Sequence, residues 1–249
     1  MIISAHQPAY NPWLGYFHKV LISDIFVIMD DVQFEKNSFI NRNKIFQKPS
    51  GTMLTIPCST KDYKDKSINE IETANEIWKK KHIKTIQQTY AKSPFYKEVM
   101  PLIEDALNQS STQLIDYTNK LFFSIIKYLN INTRIVFASE LNLKAKRLGY
   151  IIELTKKLNG NIFFFGKLGE DYADKEILLE NGITPYFQNY IHPEYKQNSC
   201  EFVPFLGVLD LCFNEKKDNI IQLILKNNFN KQQLKALYVR NDFGCSSSS

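Results

Sequence analysis

Two short apolar runs near the start of the chain each end abruptly in a polar cluster, and one helix-sized stretch separates them. The first, residues 1–6, ends in His6-Gln7; the second, Asp24-Ile-Phe-Val-Ile-Met29, runs into Asp30-Asp31-Val32-Gln33. Runs of this length suit buried strands rather than helices. Between them Pro12 stands where a first helical turn tolerates proline, and Trp13, Phe17, Val20 and Leu21 recur at helical spacing. If the two strands are parallel neighbours, residues 13–22 are their crossover.

The alternation continues along the chain. Residues 43–47 and 52–57 flank Lys48-Pro49-Ser50-Gly51 and read as a hairpin. From about 75 to 130 the pattern is helical, with new helices at Ser93-Pro94 and at Ser111 or Thr112. Strands are expected at 133–138, 161–165 and 183–188. Helices are expected at about 145–158, closed by Asn159-Gly160, then 174–181, 206–213 and 217–227. The expected fold is α/β: a mainly parallel central sheet flanked by helices. One domain spans 1–245 with a helical subdomain at 75–130, and the serines at 246–249 form a disordered tail.

Composition narrows the class. Apolar residues make up 44% of the 249 residues and aromatics 13%, which argues against intrinsic disorder. No apolar run approaches the ~20 residues of a membrane span, and the N-terminus lacks the basic and long apolar regions of a secretory signal. Four cysteines without a CxxC pair point to a reduced, cytoplasmic setting. The formal charge is +5, but only Arg42, Arg134, Arg147 and Arg240 among 31 basic residues are arginines. Nucleic-acid readers lean on arginine, so charge alone does not point to one.

Chemistry-bearing residues crowd into the first 45 positions: His6, Gln7, Tyr10, Trp13, Tyr16, Lys19, Asp30, Asp31, Gln33, Asn41, Arg42 and Asn43. Sites in α/β folds gather at the carboxyl ends of strands. If the first two strands are parallel neighbours, His6 shares a rim with Asp30 and Asp31. A histidine beside a carboxylate is a competent general base; the bland alternative is a hydrogen-bonded histidine with aspartates that make turns. One histidine with two aspartates is also a donor set for a hard divalent ion. No ligand-pair spacing such as HxxxH accompanies it, so no metal site is assigned. Asn41-Arg42-Asn43 suits a phosphate grip or, alternatively, a turn before the hairpin. Of Tyr10, Trp13 and Tyr16, some face the core and one stacks on a base or sugar. Gly166-Lys-Leu-Gly169-Glu-Asp171-Tyr172 follows a strand and would favour an anion. His192, in an irregular polar stretch, either joins the same pocket or belongs to a plain loop. His82, within Lys79–Lys84, reads as solvated.

His6-Gln7-Pro8-x-Tyr10-x-Pro12-Trp13-x-Gly15-Tyr16 resembles the opening signature of the WbqC-like protein family. Asp30-Asp31-Val32-Gln33-Phe34 with Asn41-Arg42-Asn43 resembles its second block, and Gly166-x-x-Gly169-x-Asp171-Tyr172 its third. Tyr195-x-Gln197 with Phe202-x-Pro204-x-Leu206-x-x-x-Asp210 and Phe213-Asn214 resembles its last. Departures are Phe39, where the family has Trp, and Phe165, where it has a small residue. The resemblance implies a transferase of bacterial surface-polysaccharide (O-antigen or capsule) biosynthesis acting on a UDP- or dTDP-linked amino sugar. N-acyl or aminoacyl transfer, glycyl for example, is the implied reaction, with His6, Asp30 and Asp31 catalytic. The matched substrate-binding positions are Gln7, Tyr10, Trp13, Tyr16, Gln33, Arg42, Asn43, Asp171 and Tyr172, and the local reading of the residues adds Lys19, Asn41, Gly166, Gly169 and His192. No resident cofactor follows; the donor would be an acyl-CoA or an aminoacyl-tRNA, the latter using the net charge and Lys79–Lys84. The alternatives are a non-catalytic sugar-nucleotide binder or scaffold, and a glycosyltransferase.

Overall fold

The computed structural model describes residues 1–59 and 62–244. The expected serine tail lies outside the described residues. The first strand, β1 (Ile2–His6), passes through α1 (Leu14–Ile22) to β2 (Ile25–Ile28), and the two strands are parallel neighbours with His6 opposite Ile28. An antiparallel hairpin follows, β3 (Arg42–Ile45) and β4 (Thr52–Thr55). The helical segment comprises α2 (Ile77–Tyr90), α3 (Tyr96–Leu107) and α4 (Leu114–Tyr128). The chain then forms β5 (Arg134–Phe137), α5 (Leu148–Lys157), β6 (Ile162–Phe165), α6 (Lys175–Glu180) and β7 (Thr184–Phe187), and ends in α7 (Val208–Asn214), α8 (Lys217–Leu225) and α9 (Lys231–Gly244).

The five-stranded sheet has the order β5-β2-β1-β6-β7 and all its pairs are parallel. Strand alternation divides its side chains between two covers. Ile3, Ala5, Ile25, Val27, Phe163 and Phe165 pack on Ile151 and Leu154 of α5, on Leu158 just after it and on Leu178 of α6. On the other face, Phe26 and Ile28 pack with α1 and the helices α2–α4, while Ile2, Ile162 and Phe164 meet Ile22 of α1 and Leu234 of α9. The helical segment therefore shares its core with the sheet. Among the described residues no helix is long and apolar enough to cross a membrane.

The sequence pattern points to no helix beyond 227, yet α9 forms. Its start is a reciprocal cap: Asn230 Oδ1 accepts from the Gln233 amide and Gln233 Oε1 accepts from the Asn230 amide, at 2.9 Å each. That arrangement satisfies two of the backbone donors a helix start leaves open. At the end of α5 the left-handed position is taken by Asn159, φ +56°, rather than by the glycine. Gly160 has a different reason: a Cβ there would lie 2.3 Å from Ile3 Cγ1, so its lack of a side chain lets the loop pass against β1.

Candidate functional site

The strand order places a reversal of direction between β1 and β6. From β1 the chain moves outward through α1 to β2 and then β5; from β6 it moves the other way through α6 to β7. At such a point the two outgoing connections diverge and leave a crevice beyond the strands' carboxyl ends, where α/β folds bind ligands. Here that edge carries His6 at the end of β1 and Gly166 after β6.

A pocket of about 260 Å³ opens at this edge, lined by His6, Ala9, Pro12, Trp13, Tyr16, Phe39, Asn43 and Phe205. Tyr16 is buried in the first turns of α1, its ring 4.8 Å from that of His6. The Trp13 indole lies over Gly15, where a Cβ would come within 2.3 Å of the ring, and stands edge-on to Tyr190 at 5.4 Å. Phe39 and Phe205, from separate loops, form the rim, each 59% exposed. Phe205 has φ +59°, a left-handed conformation that costs a bulky residue energy and that concentrates at ligand sites. Its loop is fixed by a close contact: Gly207 abuts Asn11, whose Nδ2 would lie 2.1 Å from any Cβ there, and Asn11 Oδ1 accepts from the Leu209 amide.

Two titratable groups line the pocket; burial pushes the Tyr16 phenol up, which leaves His6 as the candidate base. Its Nδ1–H donates to the Gln7 carbonyl at 2.9 Å, which leaves Nε2 with its lone pair. Burial, aided by the Lys19 charge, lowers its pKa from 6.5 to about 4. The ring is therefore neutral at physiological pH, and among the described residues Nε2 has no hydrogen-bond partner.

The expected rim forms, but no hydrogen bond joins His6 to Asp30 or Asp31. Asp30 accepts from the Ser139 amide at 2.9 Å and its hydroxyl at 2.6 Å, and Asp31 accepts from the Tyr150 hydroxyl at 2.6 Å. Both acids tie the turn after β2 to the elements that follow β5, as aspartates in turns often do. Arg42 does not line the pocket; its guanidinium is bonded to the carbonyl and side chain of Asn37. Strand alternation turns Asn43 inward instead, and its Nδ2 donates to the Asn11 carbonyl at 2.6 Å. Asn41 is buried, bridging to the Ile56 carbonyl. Gln33 is exposed and bonds the Lys64 carbonyl. Gln7 is half-buried beside His6. Tyr10 belongs to the core, its hydroxyl 3.0 Å from His82 Nδ1.

Lys19, one turn below Tyr16 on α1, is buried with its Nζ on the Ala5 carbonyl at 2.7 Å. Gly169 is covered by Phe165, whereas Asp171 and Tyr172 are exposed on the turn beyond. His192 stands behind the rim, accepting from the Phe205 amide at 3.3 Å, its ring 5.1 Å from that of Phe205.

Three features lie outside the sequence reading. Ala9 and Phe205 are lining residues that no motif chemistry singles out, and Phe39 stands out in the sequence only as a departure from the resembled family. His82 is not solvated: it is 3% exposed, bonded to Tyr10, and burial lowers its pKa to about 4. Trp78, His82 and Ile86 recur at four-residue intervals and are all buried, a signal visible in the sequence but masked by the neighbouring lysines. The fourth motif block is largely a packing device. Asp210, fully buried, accepts from Tyr90 and Tyr195 hydroxyls at 2.9 and 2.8 Å and from Gln197 Nε2 at 2.9 Å.

Comparison with known proteins agrees with the motifs. The WbqC-like protein family matches residues 7–222. Rv1507c, an uncharacterized protein of Mycobacterium tuberculosis (strain ATCC 25618 / H37Rv), is 27% identical over 210 residues, which cover 84% of this chain and 91% of that protein. No solved structure matches the chain.

Proposed function

The chain belongs to the WbqC-like protein family, and from that premise we propose that it transfers an acyl or aminoacyl group to the amino nitrogen of a nucleotide-linked sugar in bacterial surface-polysaccharide assembly. The observation that carries the reading is the neutral imidazole with a free Nε2 on the floor of an aromatic-rimmed pocket at the switch point of the sheet. Trp13, Phe39 and Phe205 offer faces to a base or sugar ring. A sugar amine seated on the floor attacks the carbonyl carbon of the donor. The C–N bond forms, the nitrogen sheds a proton to His6 Nε2, and the C–S bond of an acyl-CoA or the ester C–O bond of an aminoacyl-tRNA breaks as His6 returns that proton to the leaving atom. Nitrogen bonded to the tetrahedral carbon is far more acidic than the free ammonium, so a base held neutral by burial suffices. No covalent enzyme intermediate is needed.

The reading is tested by a thermal-shift panel of UDP- and dTDP-linked sugars, each with and without a free amino group. Stabilisation by the amino forms, at least a few degrees at concentrations well above Kd, is the expected result. Equal response to amino and hydroxyl forms would favour the non-catalytic binder, and no response to any would remove the nucleotide sugar as substrate.

A further inference from the structure

The sheet does not stay closed to its carboxyl edge. Pairing of β1 with β2 runs from Ile3 to His6, and β6 with β7 from Ile162 to Phe165, but β1 and β6 pair only at Ile2/Ile162 and Ile3/Phe163. Beyond that they separate, and side chains replace the ladder. Ser4 Oγ donates to the Phe164 carbonyl at 3.0 Å, and Lys19 Nζ donates to the Ala5 carbonyl at 2.7 Å. Lys19 is 3% exposed, and among the described residues no carboxylate lies within ion-pair distance of it. An ammonium has three donors, and one of these is used here. Hydrocarbon would fill the split at lower cost than an uncompensated charge.

Gly166 faces the same split. A Cβ at Gly166 would meet a single atom within 4 Å, Lys19 Nζ at 3.9 Å, and its φ of −72° is open to any residue. Neither packing nor backbone demands glycine, and its effect is to leave room over the amine. We infer that the split between β1 and β6 is an anion subsite, in which Lys19 holds a phosphate of the ligand whose ring occupies the neighbouring pocket. The inference rests on the nucleotide-sugar reading for the identity of that phosphate, and it moves the phosphate grip from Arg42, which is committed to Asn37, to Lys19.

Burial lowers the Lys19 pKa to about 7, and it lowers the pKa of the two histidines near it, His6 and His18, as well. An anion brought against the amine raises that pKa again, so binding above neutrality takes up a proton. Calorimetric titration of UDP and of inorganic pyrophosphate, in buffers of different ionisation enthalpy, reads this directly. At about pH 8 the wild type is expected to take up most of one proton on binding, and at about pH 6 almost none. Lys19→Met is expected to abolish the uptake and weaken both probes roughly tenfold or more, with Tm held or raised because a buried charge is gone. His6→Ala keeps the uptake. Gly166→Ala, which the backbone tolerates, is expected to weaken both probes without unfolding, and it carries the test if Lys19→Met does not fold.

Affinity for the probes unchanged in both variants, uptake that survives Lys19→Met, or a wild type that binds neither probe would overturn the subsite. Its failure is distinguishable from failure of the function. Lys19-dependent binding of pyrophosphate without any binding of amino-sugar nucleotides keeps the subsite and loses the substrate. Lys19-independent binding of those nucleotides does the reverse.

Discussion

His6→Ala is expected to lower turnover of amino-sugar acylation by roughly 100- to 10,000-fold, the range that a positioned general base contributes. The folded state should barely register the change. The imidazole makes one hydrogen bond, to the carbonyl of its own neighbour Gln7, and its ring otherwise rests against Tyr16. Substrate affinity should change little, since the aromatic faces and the Lys19 split remain. The signature is therefore a fall in kcat with KM and Tm nearly constant. Asp30→Ala is the instructive contrast. A catalytic dyad would make the two variants equivalent. With Asp30 holding the Ser139 amide and hydroxyl, its removal leaves two donors without an acceptor and should cost stability of about 1–3 kcal/mol instead. Full activity in His6→Ala would remove the base from the account.

Asp210→Ala is expected to produce the largest loss of stability, about 3–5 kcal/mol, because three buried donors lose an acceptor at about 1–3 kcal/mol each. The carboxylate is buried, and the groups that hold it are two tyrosine hydroxyls and the Gln197 amide; among the described residues no lysine or arginine pairs with it. Burial raises its pKa, while those three hydrogen bonds pull it back down. Without the carboxylate, three buried donors lose their acceptor. Tyr90 is also the group to which the Phe46 amide donates, so the loss reaches the hairpin strand that carries Asn43. Gln197 braces Val203 through both its amide atoms, two residues before Phe205 of the pocket rim. In a chain of this size the cost corresponds to a fall in Tm of roughly 6–20 °C, with sugar-nucleotide binding weakened as the rim loosens. A denaturant melt that puts Asp210→Ala within about 1 kcal/mol of the wild type would contradict the network's role.

Much of the frame was legible because it is written locally. The strands β1 and β2 declare themselves by apolar runs that stop at His6 and Asp30, and α1 by the spacing of Trp13, Phe17 and Val20. The rim shared by His6 and the acids follows from that topology alone. What the acids do on the rim does not, because Ser139 and Tyr150 lie more than 100 residues away and leave no mark near Asp30. Arg42 and Asn43 look alike as polar neighbours in a strand, and only the side of the pleat that meets Asn11 separates them. Phe205 is recognisable as a lining residue only once its loop is folded over Asn11. The α9 helix had a signal in Asn230 and Gln233, a cap without a strong apolar stripe behind it.

The central claim is that the amine of a nucleotide-linked sugar meets His6 at the switch point. Its most direct measurement is the structure of the protein crystallised with a UDP- or dTDP-linked amino sugar. The account predicts the sugar nitrogen at about 3 Å from His6 Nε2, a ring between the aromatic faces of the rim, and phosphate oxygens over Lys19. A ligand bound with its amine directed to solvent, or bound away from the β1–β6 edge altogether, would contradict it.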